Sequence, residues 1–60
     1  MSETDEKLLL LAREMRARAR EVLARAETFQ DADARRTMCD IASSYVKLAR
    51  RLEREAGADK

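Results

Sequence analysis

The 60-residue chain contains no histidine, proline or tryptophan, and only one glycine, one cysteine and two aromatic residues, Phe29 and Tyr45. Each absence closes a class of function. Without histidine neither a Ser-His nor a Cys-His nucleophile can be assembled, and the Glu-x-x-His motif of di-iron helix bundles is impossible. With Cys39 as the single thiol there is no disulfide within the chain, and the usual zinc ligand sets are out of reach. No residue is therefore assigned a catalytic, cofactor-binding or metal-ligating role, and the chain reads as a non-enzyme that needs no cofactor. Long apolar runs are missing too. The longest run of large apolar residues, Leu8 to Leu11, falls far short of the roughly twenty residues that cross a bilayer. The opening Ser2-Glu3-Thr4-Asp5-Glu6 is acidic, unlike an export signal. The expectation is a cytoplasmic protein without a membrane partner, for which one free cysteine suits a reducing compartment. Thirteen basic residues against twelve acidic ones leave a net charge of +1, so the molecule as a whole has no pull toward polyanions.

What the chain has is periodicity. Apolar residues make up 45% and charged residues 42%, the composition of long amphipathic helices. Leu8, Ala12, Met15, Ala19, Val22, Ala26 and Phe29 alternate by four and three, and so do Met38, Ala42, Tyr45, Ala49, Leu52 and Ala56. A 4,3 repeat is the seam of a helix lying lengthwise against another. Every other member is alanine, which lets the two backbones approach closely.

Two helices follow, because the seams are out of phase. Phe29 to Met38 is nine residues, a rotation of roughly 900° or half a turn. One continuous helix would carry the seams on opposite faces, whereas a hairpin brings them together. Ser2 or Thr4 can cap the first helix, and Glu3, Asp5 and Glu6 suit its positive end. Asp31 or Asp33 can cap the second, and Gly57 follows its end beside Arg50, Arg51 and Arg54. The fold class expected is all-α: an antiparallel hairpin with helices at about 4–29 and 33–56, in one domain over 1–60 with short flexible ends at 1–3 and 57–60.

Side-chain volumes select a register. If paired positions sum to 64, the layers are Ala26 with Met38, Val22 with Ala42, Ala19 with Tyr45, Met15 with Ala49, Ala12 with Leu52, and Leu8 with Ala56. Each sets one alanine against one larger residue, which fills space without voids. A sum of 61 faces Ala12 to Ala49 and Ala19 to Ala42 and leaves holes.

The apolar stripe is wider than this seam. Leu9 and Leu23 flank it on one side of the first helix and Leu11 on the other; Cys39 and Val46, then Ile41 and Leu48, do the same on the second. One partner helix cannot cover such a width, and a 60-residue chain is near the size at which a lone core is marginal. These seven residues are the candidate dimer interface, and the expected assembly is a homodimer of hairpins, a four-helix bundle.

Other features have a plain and a functional reading. Glu14 and Glu21, seven apart, could serve as an acid and base pair, but Glu14 with Arg18 and Glu21 with Arg25 have the i,i+4 orientation of surface ion pairs. Cys39 reads as a small apolar residue at the bundle edge, with cross-linking to a second copy as the alternative. Tyr45 packs in the seam with its hydroxyl reaching the surface. Leu10 points away from the seam, where it completes an interface, docks another protein, or is a surface leucine. Arg13, Arg16 and Arg20 run along the first helix, and an antiparallel partner brings Lys47, Arg50 and Arg51 toward them, a stripe able to contact nucleic-acid phosphates, with Arg13, Arg16, Arg20, Lys47 and Arg51 as the candidate contacts. Interleaved glutamates and the lack of aromatics for stacking favour a solvated, salt-laced face instead.

The stretch Ala26-Glu27-Thr28-Phe29, then Asp31, Ala34-Arg35-Arg36, Met38, Ile41-Ala42, Tyr45, Leu48-Ala49 and Arg51-Leu52-Glu53 resembles a group of short uncharacterised bacterial proteins. The resemblance implies a bacterial cytoplasmic helical protein and carries no activity with it. In architecture alone the chain is similar to the small plasmid copy-control protein whose hairpins dimerise and bind paired RNA loops. The reading is a non-enzymatic helical interaction module acting as a homodimer, with a small RNA- or DNA-binding regulator as the alternative.

Overall fold

The computed structural model describes residues 2–57 and consists of two helices, α1 (Glu3–Ala26) and α2 (Ala32–Ala56), laid antiparallel in a rod of 45 × 14 × 11 Å. Neither helix contains proline or glycine, and both are rich in alanine and arginine, which cost a helix little, with leucine and glutamate abundant in α1. Ser2 caps α1, its hydroxyl accepting from the Asp5 amide at 3.1 Å, with Glu3, Asp5 and Glu6 in the positively polarised first turn. Asp31 caps α2, its carboxylate accepting from the Asp33 amide at 3.0 Å. Of the two candidates at each start, then, Ser2 and Asp31 do the capping. Gly57 closes α2 by donating its amide to the Glu53 carbonyl at 3.1 Å.

The first helix is shorter than its periodicity predicts. It ends at Ala26, and Phe29, expected as the last member of the seam, lies in the connection and is 39% exposed. The local chemistry explains the early stop. The Thr28 hydroxyl and amide both donate to the Arg25 carbonyl, at 2.7 and 3.0 Å, and the Phe29 amide donates to the Ala26 carbonyl at 3.1 Å. These three-residue closures satisfy carbonyls that a further helical turn would have taken. Asp31 must also be extended to cap α2, at φ −76° and ψ 122°, so the chain has to leave the helical conformation before it. The ends expected to be flexible divide: Ser2, Glu3 and Gly57 belong to the helix termini, and positions 1 and 58–60 lie outside the described residues.

All six seam alanines, Ala12, Ala19, Ala26, Ala42, Ala49 and Ala56, are buried, at 6% exposure or less. Leu52 is the one large side chain that joins them. Ala12, Ala49 and Leu52 form the core cluster, with Leu8 and Met15 packed against it. Members of two expected layers, Ala12 with Leu52 and Met15 with Ala49, lie together in this one cluster. The larger seam residues Leu8, Met15, Val22, Met38 and Tyr45 are only half-buried. Close approach of the backbones closes the alanines and leaves the longer side chains projecting past the contact.

Candidate interaction surfaces

The hairpin has two long sides, set by rotation about each helix. At about 100° per residue, positions 9, 16 and 23 of α1 fall on one flank of the seam and positions 11, 18 and 25 on the other. On α2 the corresponding flanks hold positions 39, 46 and 53, and positions 41, 48 and 55. Antiparallel packing brings like flanks together. A side-chain bond confirms the pairing, because Arg16 reaches across to Glu53 with Nε to Oε2 at 2.9 Å and Nη2 to Oε1 at 2.7 Å. Both side chains are a little over one-third exposed, and the fork-to-carboxylate geometry is the strong form of this contact. The hydrogen bond from Arg16 holds the Glu53 carboxyl below its ordinary pKa against a partial desolvation that opposes it, and the charges of Arg16 and Arg50 add to the lowering. The same hydrogen bond and charge raise Arg16 further above its ordinary value.

On the Arg16–Glu53 side, Leu9 and Val46 are half-buried, Leu23 is 43% exposed and Cys39 is exposed. On the other side all six flank positions are exposed, and three of them are large and apolar: Leu11, Ile41 and Leu48, each at 41–42%. The seven candidate interface residues therefore divide between opposite sides of the hairpin. A single partner hairpin covers one of those sides and not both.

The five basic residues expected to form one stripe do not share a face. Arg13, Arg16 and Arg20 run along one side of α1, and Arg50 of α2 lies on that side with them. Arg51 stands two positions before Glu53, about 200° round the helix from it, and so faces away from Arg16. Lys47 points outward from the back of α2. The structure instead gathers Lys47 and Arg51 with Arg50 and Arg54 around an open hollow on the outer surface of α2. Arg16 itself is engaged by Glu53. The Arg16–Glu53 pair lies 37 residues apart in sequence, and only the hairpin register together with the matching flanks could have pointed to it.

Glu14, Arg18, Glu21 and Arg25 are all exposed, and the expected pairs Glu14–Arg18 and Glu21–Arg25 are not closed; the i,i+4 pair that does form is Glu3–Lys7 at 3.9 Å. Exposed pairs of this kind gain too little to hold two long side chains in place. The Ser44 and Thr37 hydroxyls donate to the carbonyls of Asp40 and Asp33, so each is satisfied within its own helix. Leu10 is 60% exposed and borders a shallow hollow with Glu6, Leu9, Arg13 and Glu53. Among the described residues no cluster of acidic or cysteine side chains is arranged to hold a metal ion, and no helix is long and apolar enough to cross a membrane. Comparison of the chain with protein-family models, curated proteins and solved structures finds no match.

Proposed function

We propose that this chain is a non-enzymatic helical interaction module that acts as a homodimer, two hairpins packing into a four-helix bundle. One observation carries the reading: apart from Leu52 the buried core is entirely alanine, while Leu10, Leu11, Leu23, Phe29, Ile41 and Leu48 remain 39–60% exposed. At roughly 1.5 to 3 kcal/mol for full burial of such a side chain, each forgoes on the order of 1 kcal/mol while the hairpin stands alone. The surface area points the same way. The chain exposes 4919 Å², where a compact monomer of 6.9 kDa exposes about 4,000 Å². The excess is close to the roughly 800 Å² that each partner buries in an ordinary interface. A cytoplasmic, bacterial setting is part of the same proposal and rests on the composition and on the resemblance described above. Sedimentation equilibrium of the full chain tests the reading: a dimer is expected, and a folded monomer at micromolar concentration would sink it.

A second reading has its own observation. Lys47, Arg50, Arg51 and Arg54 crowd the exposed outer surface of α2, which suits contact with nucleic-acid phosphates. A gel shift with nonspecific RNA across a salt series separates the two, since phosphate contact predicts binding that falls steeply with salt. No shift at low salt removes the second reading.

A further inference from the structure

We infer that the second copy covers the Leu11, Ile41 and Leu48 side of the hairpin and runs antiparallel to the first, α1 against α1 and α2 against α2, about a two-fold axis level with the Ala19–Tyr45 layer. The inference rests on the homodimer reading and adds to it the face, the direction and the register.

The choice of face follows from the asymmetry between the two sides. The Arg16–Glu53 pair spans the helices on one side, where Leu9 and Val46 are already half-buried. On the other side every flank position is exposed and the three large apolar residues have no cover. Burying that side desolvates no ion pair between the helices, whereas burying its opposite would place Arg16 and Glu53 inside an interface.

Direction and register come from the charges and from the leucine-type residues independently. The α1 half of the open side carries Glu14, Arg18, Glu21 and Arg25, all exposed, with signs that alternate along the helix. Laid antiparallel on its own copy, this row sets Glu14 opposite Arg25 of the second copy and Arg18 opposite Glu21 of the second copy, with every charge meeting its opposite. The centre of that pairing lies midway between residues 19 and 20. The α2 half carries Ile41, Leu48 and Glu55, and antiparallel self-pairing sets Ile41 opposite Leu48 of the second copy, with its centre midway between residues 44 and 45. In the register read from the side-chain volumes, where Ala19 pairs with Tyr45, those two midpoints stand at the same level. One axis therefore satisfies both helices. A closed two-fold interface must be self-complementary in this way. The same arrangement brings Leu11 level with the connection of the second copy, where Phe29 is exposed.

Two double variants test this by sedimentation equilibrium at low salt. Glu14→Arg with Glu21→Arg makes the row wholly basic, and Arg18→Glu with Arg25→Glu makes it wholly acidic. Each variant alone is expected to show a dimer dissociation constant raised at least about tenfold over the parent. An equimolar mixture of the two is expected to recover a one-to-one complex, which also shows that both variants fold. Variants that dimerise as tightly as the parent, or a mixture that stays dissociated, overturn the proposed face while the parent's own dimer leaves the homodimer reading standing. A parent that is itself monomeric overturns both.

Discussion

On the side of the hairpin where Arg16 meets Glu53, a bidentate pair spans the helices and Leu9 and Val46 are half-buried; on the opposite side Leu11, Ile41 and Leu48 stay about two-fifths exposed and no ion pair among the described residues crosses. Both sides border the same row of buried alanines. The difference teaches that close helix approach through alanine finishes a contact line but not a core. Small side chains let the backbones meet, and the longer ones then overshoot the contact and await a second layer. A long ion pair spans one side of the line, and apolar residues on the other stay exposed.

Three changes probe this contrast, each read from denaturant unfolding at a fixed chain concentration, since the stability of the proposed dimer would depend on it. Leu52→Ala removes the one large side chain buried with the alanines and is expected to cost about 2 to 5 kcal/mol. A loss much smaller than that would mean that the alanine line holds the hairpin without it. Ala49→Leu overpacks the tightest point, where Ala49 is 0% exposed, and should destabilise by about 1 to 3 kcal/mol. An unchanged unfolding midpoint would show that Met15 and Ala49 do not share a layer. Glu53→Gln is the gentlest, because its partner is partly solvated and such pairs contribute little. It should lower stability slightly at neutral pH and flatten the acid limb of the stability profile. The sign follows from the lowered pKa of Glu53: its contribution is complete above the unfolded carboxylate value of about 4.3 and disappears as the pH falls through the lower folded value. A parent and a Glu53→Gln variant with the same acid profile would mean that the pair does not hold that side together.

Much of this was legible in the chain. The 4,3 spacing located both helices, and Asp31 or Asp33 and then Gly57 marked where α2 begins and ends, since capping chemistry is local. The alternation of alanine with larger residues predicted the seam, and the alanines are the residues that are buried. Phe29 was misplaced because it keeps the period while Thr28 and Asp31 end the helix around it, and periodicity does not register a competing hydrogen bond. The basic stripe was misjudged for a related reason. Residues close together along an antiparallel pair need not share a face, and Arg51 and Glu53 sit about 200° apart on their helix. Glu14 and Glu21 fall on the open side with Arg18 and Arg25, the row that the proposed second copy would meet.

The sequence by itself determined the two helices, two cap candidates for each start and the line of alanines along which they meet, because each depends on residues within a turn or two of one another. Which side of that line is spanned was decided only by the tertiary structure. The Arg16–Glu53 contact requires two helices to share a register and a rotation, and both are properties of the packed pair rather than of either helix. The opposite side keeps Leu11, Ile41 and Leu48 about two-fifths exposed.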